Sequence, residues 1–375
     1  MQNGRYLFKL MNFSIDIHKL AEAFLTPLSY LYGAGVYVRN KLFDWNALKS
    51  ESFDIPVISI GNIAVGGTGK TPHTEYVINL LRNSYRIGVV SRGYKRQTSG
   101  FVLASLHSSP TDIGDEPYQI YQKFRNDIQV AVCEKRVDGI KQLLNEHPEI
   151  NLILLDDAFQ HRYVKPSLSI VLTEYNRPFY NDRLLPLGRL RESIQSVRDR
   201  ADLVIVTKCP DSITPLDLLL FKKNLDLFPY QKLFFSKFNY GSLAPVFPDA
   251  SKYIPVLDIL TEKDTILTIT GIANPLPLIK FLKTFNAVVK IMQYPDHHMF
   301  SRDDIYDIEK TFSALHGRYK FIMTTEKDAV RIANNPYFPT ELKQHIFYQP
   351  VNVEFIQSGK EDFDIELRSA VAHKK

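Results

Sequence analysis

Apolar runs rich in β-branched residues recur at 56–60, 87–91, 128–132, 152–155, 168–172 and 203–207, and each is apolar almost throughout. Strands covered on both faces carry this signature, because neither face meets water. Helical patterns lie between several of them, including 70–82 and 135–146. The alternation predicts a doubly wound, mostly parallel α/β sheet. An aromatic, turn-rich stretch at 229–255 reads as a junction. Beyond it a second α/β run begins, with strand 265–270, helix 275–285, strand 287–291, helix 301–315 and strand 320–324. The pattern divides the chain into an N-terminal segment 1–45, a core 46–235 and a smaller C-terminal α/β domain 236–375 that closes over the core. A cleft between two such domains is a common ligand site.

The N-terminal segment has a pattern of its own. Residues 20–38 read LAEAFLTPLSYLYGAGVYV, with His18 and Lys19 before them and Arg39 and Lys41 after. A spanning helix needs ~20 mostly apolar residues, and Glu22, Pro27 and Ser29 interrupt this one. No small-residue cleavage site follows, which argues against a secretory signal. The segment predicts a helix lying in a membrane interface, with Phe24, Leu25, Leu28, Leu31, Tyr32 and Val36 entering the headgroup boundary and basic neighbours meeting lipid phosphates. A helix packed on the protein's own core has a similar pattern.

Chemistry enters directly after the first strand, at Ala64-Val65-Gly66-Gly67-Thr68-Gly69-Lys70-Thr71. A strand, a glycine-rich turn and a helix in that order form a P-loop. Its backbone N–H groups turn toward phosphate oxygens, and the helix presents its positive end. Lys70 reaches the β- and γ-phosphates and the Thr71 hydroxyl ligates Mg²⁺. Ala64 replaces the first glycine of the usual pattern, and Pro72 suits the first helical turn, where a missing N–H costs little. The strand 152–155 leads into Asp156-Asp157, and an acid at that place sits beside Mg²⁺ in P-loop proteins. Asp156 is the expected magnesium-side acid. Thr207-Lys208-Cys-Pro-Asp211 resembles a guanine-reading T-K-x-D element, but its Asp lies one residue too far along, which favours ATP.

Charge changes the picture little. Lys plus Arg number 46 against 41 Asp plus Glu, a formal +5. That excess suits phosphorylated substrates or an anionic bilayer, and it is too small and dispersed for nucleic acid. Two cysteines, Cys133 and Cys209, are too few for a disulfide framework.

Read together, the motifs resemble one family, the tetraacyldisaccharide 4'-kinases of lipid A biosynthesis. The resemblance runs from Ser59-Ile-Gly-Asn62 and the P-loop through Ser91-Arg-Gly-Tyr94, Gly114-Asp-Glu-Pro117 and Asp156-Asp-Ala-Phe-Gln-His-Arg162. It continues through Leu185-Pro-Leu-Gly-Arg-Leu-Arg-Glu192, Gly271-Ile-Ala-Asn-Pro275, Asp296-His297 and Thr325-Glu-Lys-Asp-Ala-Val330. It implies transfer of the γ-phosphate of ATP, with Mg²⁺, to the 4'-hydroxyl of a tetraacylated glucosamine disaccharide 1-phosphate. It also implies a lipid-linked substrate and attachment to the cytoplasmic face of the inner membrane of a Gram-negative bacterium, and the sequence makes no obligate protein partner evident.

Carried over, the resemblance makes Asp115 the group that accepts the hydroxyl proton and His297 its partner across the cleft. A helix N-cap accounts for Asp115 as well. Asp296, His297 and His298 suggest a metal, but adjacent side chains rarely converge on one ion. Arg92, Arg162, Arg189 and Arg191 are candidate phosphate or headgroup contacts, and Glu116, Asp157 and His161 candidate supporting groups. Family patterns place a Pro where Arg189 stands, and Ser193 follows the Glu; these departures leave the kinase reading intact, and the resemblance does not carry over the details of acceptor contact there. Thr325-Glu-Lys-Asp328 reads as a capping box. Two other functions fit parts of the pattern. A soluble small-metabolite kinase has no use for the apolar N-terminal segment, and a P-loop switch ATPase has none for a dedicated acceptor base.

Overall fold

The computed structural model describes residues 17–357 and 359–372, with side chains from Glu22 onward. The first eight strands are β1 (Val57–Asn62), β2 (Ile87–Ser91), β3 (Val102–Leu103), β4 (Ile128–Val132), β5 (Leu152–Asp156), β6 (Leu168–Glu174), β7 (Leu203–Thr207) and β8 (Lys232–Tyr240). They are followed by β9 (Ala244–Pro245), β10 (Thr265–Thr270), β11 (Val288–Gln293), β12 (Lys320–Thr325), β13 (Ile346–Gln349) and β14 (Val351–Phe355). The principal helices are α1 (Ile17–Asp44), α2 (Lys70–Leu81), α3 (Pro110–Ile113), α4 (Asp115–Phe124), α5 (Arg136–Glu146), α6 (Ile194–Arg200), α7 (Pro215–Leu225), α8 (Leu276–Leu282), α9 (Arg302–Ser313), α10 (Glu326–Ala333) and α11 (Gly359–Ala372).

A large sheet runs β14-β8-β7-β6-β1-β5-β2-β4-β3, parallel except where β14 meets β8 and β3 meets β4. Every residue of β1, β2, β5 and β7 is buried, as uninterrupted apolar runs require. Ile58, Ile60, Leu152, Leu154 and Ile170 share a core with residues of α2, α4 and α11. On the other side Val57, Ile153 and Leu155 meet Ile140 and Leu143 of α5. A second sheet, β11-β10-β12-β13-β9, is parallel except at β9. Ile305, Ile308 and Phe312 of α9 and Ile332 of α10 pack on one of its faces, and Leu278 and Leu282 of α8 on the other.

The stretch expected to be a junction, 229–255, contains a nine-residue strand, β8. Its inner edge pairs parallel with β7, and its outer edge bonds to β14, with Val351 opposite Tyr240. That partner lies far along the chain, and Ser236 and Lys237 break the apolar run, so local pattern alone conceals the strand. From β14 the chain stays on the large sheet: Phe363, Leu367 and Val371 of α11 are buried in its core, and Phe363 stacks on Phe355 at 4.5 Å between centroids. The segment beyond residue 236 therefore builds the whole small sheet and one edge of the large one.

Helix α1 matches the expected N-terminal helix, although its faces are divided differently from the sequence reading. Leu25, Tyr32 and Val36 are half-buried, Ser29 is buried and donates to the Leu184 carbonyl at 2.8 Å, and a Cβ on Gly33 would meet Leu184 at 2.8 Å. These positions recur every three or four residues and form the stripe that packs on the protein. Phe24, Leu28, Leu31 and Val38 lie on the opposite stripe and are exposed, flanked by exposed Tyr30 and Tyr37. Of the residues expected to enter a headgroup boundary, Leu25, Tyr32 and Val36 are thus partly covered by the protein, and Tyr32 donates to the Arg191 carbonyl at 2.9 Å. The side chains of His18 and Lys19 lie outside the described residues. Among those described, no helix is long and apolar enough to cross a membrane.

Truncating the α11 anchor tests the return of the chain to the large sheet. Phe363→Ala should lower the free energy of unfolding by about 3–5 kcal/mol, the usual cost of emptying a fully buried phenylalanine site, read by denaturant titration. A change within about 0.5 kcal/mol, typical of surface positions, would contradict the packing described.

Candidate active site

Strand order builds the nucleotide side of the site. β1 lies between β6 and β5, with Ile60 opposite Asp156, so the turn after β1 and the acid at the end of β5 meet at the same sheet edge. Gly66 and Gly69 have φ of 124° and 88°, backbone that favours glycine, and a Cβ on Gly66 or Gly67 would project into open space within the turn. A Cβ on Gly69 would lie 2.6 Å from Phe238 of β8, so the turn is seated tightly from behind. Asn62 Nδ2 donates to Thr68 Oγ1 at 2.8 Å, Thr207 Oγ1 donates to the Thr68 carbonyl at 2.9 Å, and Lys208 Nζ donates to the Gly67 carbonyl. Thr207 and Lys208, which resemble a base-reading element in sequence, therefore buttress the loop, while Asp211 is exposed and pairs with Lys237 at 2.9 Å. His73, one turn into α2, is buried, and its ring nitrogens bond the Gly69 carbonyl at 2.8 Å and Ser236 Oγ at 2.9 Å. Burial takes its pKa down to about 4, so it packs neutral.

The acids beside Lys70 are unequal. Lys70 Nζ lies 3.7 Å from Asp157 Oδ1. Burial alone would raise the Asp157 carboxyl, but Lys70 and Arg191 outweigh it and hold it below the ordinary range. Asp156 is buried, and the opposing pull of Lys70 and Lys327 does not offset it. Burial first, then the carboxylates of Glu116 and Asp157, lift it to about 7, and its Oδ2 has no hydrogen-bond partner. An orphaned buried carboxylate oxygen is costly unless a cation or proton meets it. With the Thr71 hydroxyl at the first turn of α2, it fits a hard divalent cation that takes oxygen ligands.

A second cluster faces this one. Asp115 is the first residue of α4, and the N-cap is Gly114, which has no side chain to cap with. The capping alternative therefore does not describe Asp115. Its Oδ2 instead accepts from His297 Nδ1 at 3.0 Å and from Arg331 Nε and an Arg331 terminal nitrogen at 3.1 and 2.6 Å, and Oδ1 carries no hydrogen bond among the described residues. Burial would raise the Asp115 carboxyl, yet the bonds from His297 and Arg331 bring it to about 2. His297 adopts φ 61° and donates its backbone N–H to the Gly271 carbonyl at 3.0 Å, which fixes the ring's approach. His298 turns away, stacked on Tyr294 and bonded to Asp304 at 2.9 Å. No group of three or more His, Cys, Asp or Glu able to hold a metal occurs among the described residues.

The sequence model of the LpxK family, described as tetraacyldisaccharide-1-P 4'-kinase, matches residues 21–371. A tetraacyldisaccharide 4'-kinase of Bacteroides thetaiotaomicron is 51% identical over 357 residues, covering 93% of this chain and 92% of the relative. One from Flavobacterium johnsoniae is 42% identical, covering 93% and 96%. The chain belongs to the tetraacyldisaccharide 4'-kinase family. Its fold is also that of LpxK from Aquifex aeolicus, crystallised in complex with ATP, at a TM-score of 0.71 and 26% identity over 94% of this chain and 99% of that one. Membership makes it a kinase that uses ATP.

Not every residue singled out in the sequence of this kinase sits at the site. Arg191 does: its guanidinium bonds both carboxylate oxygens of Asp157, at 3.2 and 3.3 Å, and the side-chain carbonyl of Asn62. Arg92 is exposed and has no ion-pair partner among the described residues. Arg189 is held by Asp182 at 2.7 Å, and Arg162 by Asp44 and the Asn40 carbonyl, both at 2.8 Å, so these two secure a loop and the end of α1. His161 is half-buried with an unpartnered Nε2, and burial and nearby arginines take its pKa down to about 4.

Three groups were missed by the sequence reading. Arg136 opens α5, is almost fully buried, and leaves Nε unpartnered near Asp156 and Asp157. Arg331 is equally buried between Asp115 and Asp328. Lys327 meets Glu116 at 2.5 Å. The last two lie on α10, whose first turn is the segment read as a capping box. Thr325 does cap Asp328 N–H, but the Asp328 carboxylate accepts from Gly271 N–H at 2.9 Å and from Arg331. Charged residues soon after Thr325, in a helix start, were the available signal.

Below these pairs Glu75 of α2 is buried, bonded by Gln119 at 2.8 Å and by Lys123, which also reaches Glu326 at 3.0 Å. Burial lifts Glu75 to about 7, Glu326 adds to the rise and Lys123 opposes it. A folded value above the unfolded one means that protonation favours the fold, so stability falls as pH rises from about 5 to about 7. Glu75→Gln should flatten that slope in chemical denaturation at several pH values. An unchanged slope would show that Glu75 does not titrate there.

Proposed function

We propose that this kinase transfers the γ-phosphate of ATP to the 4'-hydroxyl of a tetraacylated glucosamine disaccharide 1-phosphate, with Asp115 as the group that takes the hydroxyl proton. The observation that carries this reading is an acid cluster on α4 and α10 set opposite a P-loop, with one carboxylate oxygen left open. A hydrolytic switch has no need of such a group. Lys70 and the N–H groups of 65–69 bind the phosphates, and Arg191 holds Asp157 beside Lys70. Thr71 and Asp156 are the residues that would hold Mg²⁺, which neutralises charge on the phosphates when bound.

In the reaction the 4'-oxygen forms a bond to the γ-phosphorus, the bond from that phosphorus to the β–γ bridging oxygen breaks, and the bridging pair leaves with ADP. The hydroxyl proton passes to Asp115 Oδ1, the oxygen free of other donors. A carboxyl held at about 2 is a weak base at rest. Phosphoryl transfer passes through a loose transition state in which the hydroxyl proton leaves late, so alignment matters more than basicity. His297 and Arg331 supply that alignment by saturating Oδ2. As part of the same proposal, residues 236–375 close over the nucleotide, and α10 carries Arg331 and Lys327 to the acids of α4.

The acceptor is a lipid, and the exposed stripe of α1 supplies a place for it. Phe24 and Leu31 are each more than 70% exposed, with Leu28 and Val38 on the same side and Trp45 exposed just beyond the helix. A contiguous apolar stripe on a surface helix is stable when it enters a bilayer interface. We assign this face to the inner-membrane surface on its cytoplasmic side, where ATP is available.

Two experiments test the assignment. With ATP and the tetraacyldisaccharide 1-phosphate in detergent micelles, Lys70→Ala should abolish transfer. Asp115→Ala should lower kcat by 100-fold or more, within the usual range of about 10²–10⁴ for a positioned base, while ATP affinity changes little. Wild-type turnover in the Asp115 variant removes it from the reaction. Leu28→Glu combined with Leu31→Glu should shift the protein from sedimenting with anionic phospholipid vesicles to the supernatant, and unchanged sedimentation would rule out this face as the contact.

A further inference from the structure

A buried imidazole lies behind the P-loop, and no step of the phosphoryl transfer uses it. Helix α2 opens on a glycine N-cap, which has no side chain to cap with, and its third residue is Pro72, which has no N–H. The Thr68 carbonyl, four residues before Pro72, therefore lacks a helical donor, and Thr207 Oγ1 supplies one at 2.9 Å. The next carbonyl, that of Gly69, has a helical donor in the His73 N–H, but this bond is long at 3.3 Å. The His73 ring adds a shorter one, from Nδ1 to the same carbonyl at 2.8 Å. A carbonyl only accepts, so Nδ1 carries the hydrogen, and Nε2 of the neutral ring accepts from the Ser236 hydroxyl at 2.9 Å. Ser236 belongs to β8 and is fully buried. Phe238 of β8 and Phe355 of β14 wall the ring, with centroids 6.2 and 6.4 Å away, so it has one seat. Among the described residues the N–H groups of Gly69, Lys70 and Thr71 donate to no protein acceptor.

We infer that His73 is a positioning residue for the phosphates of ATP: it draws the Gly69 carbonyl toward β8 and so turns the Lys70 N–H the other way, toward the anion. In a planar trans peptide the carbonyl and the following N–H point in opposite directions, and fixing one fixes the other. Gly69 needs that constraint. It makes the turn at φ 88°, and a residue without Cβ rocks more freely than any other. A donor aimed at a phosphate before the nucleotide arrives saves the cost of ordering it on binding. The glycine thus shapes the turn, and the histidine removes the freedom that the glycine brings. An N–H bond to a phosphate oxygen is made in bound ATP and in the transition state alike, so its loss weakens nucleotide binding and leaves kcat in place. This role concerns ATP alone and holds whichever hydroxyl receives the phosphate.

The test titrates wild type, His73→Phe, His73→Asn and Ser236→Ala with ADP and Mg²⁺ by calorimetry, beside steady-state transfer in micelles, with circular dichroism to verify folding. Phenylalanine fills the ring's volume without a donor, whereas the asparagine Nδ2 stands in for Nδ1 and keeps it. His73→Phe should raise the Kd for ADP and the KM for ATP about tenfold, the effect of losing about 1.4 kcal/mol. In the same variant kcat and the acceptor KM should stay within about threefold of wild type. His73→Asn should recover ADP affinity to within about threefold, because it retains the bond to the Gly69 carbonyl. Ser236→Ala should weaken ADP about threefold in the wild-type background and not at all beside His73→Phe, since the hydroxyl acts only through the ring. Unchanged ADP affinity in His73→Phe overturns the inference and leaves the ring as core packing. Equal losses in His73→Phe and His73→Asn overturn it too, as does a fall in kcat with ADP affinity intact. If His73→Phe does not fold, Ser236→Ala decides: weaker ADP binding supports the role, and unchanged binding refutes it.

Discussion

A guanidinium cannot be left alone in a protein interior, and Arg331 meets that constraint with two carboxylates. Its side chain is 1% exposed, and Asp328 and Asp115 are the acids that pair with it. Asp328 belongs to the same helix, whereas Asp115 opens a helix of the large sheet. Removing one partner from a buried ion pair is far costlier than breaking a surface pair, so the small sheet is tied to the large one at Asp115, the proposed proton acceptor. The pairs of Lys327 with Glu116 and of Lys123 with Glu75 and Glu326 continue the tie along α4 and α10. The same bonds that hold two layers together also occupy Oδ2 of Asp115 and leave Oδ1 open.

A second line of contacts runs from α1 to the P-loop and Asp157. Tyr32 of α1 donates to the Arg191 carbonyl at 2.9 Å, and the Arg191 side chain reaches Asn62 and Asp157. Backbone bonds from Val65 to Arg189 and from Arg191 to Ile63 lock that loop on the P-loop. The helix with the exposed stripe is therefore joined to the nucleotide site through Arg191, and a second time through Arg39, which bonds the Gln160 carbonyl while the Gln160 side chain bonds the Asn62 carbonyl.

Much of this architecture is legible in the sequence. Uninterrupted apolar runs mark the parallel strands, and the glycine pattern with Lys70 and Thr71 marks the phosphate site, because those signals are local. The division of α1 into two faces is half legible: the helix is, but Leu25, Tyr32 and Val36 are as apolar as Phe24 and Leu31, and only packing against the protein body around Leu184 separates them. β8 escapes because its outer partner, β14, is remote in sequence. Arg331 escapes for the same reason. Its meaning lies in Asp115, which is close in space and distant along the chain, and a charged residue in a helix looks solvated until its neighbours are known. Arg162 and Arg189 fail in the reverse sense, since Asp44 and Asp182 occupy them in ways that motif spacing does not reveal.

The dependence of the site on the Arg331–Asp115 contact is tested most directly by a double-mutant cycle on the rate of phosphoryl transfer in a single turnover. Asp115→Asn, Arg331→Met and the double variant are compared with wild type. If Arg331 acts by aligning Asp115, the double variant is no slower than Asp115→Asn alone, and the two effects are strongly non-additive. Effects that simply add would mean that the arginine and the carboxylate work independently, and that Arg331 does not align the proton acceptor.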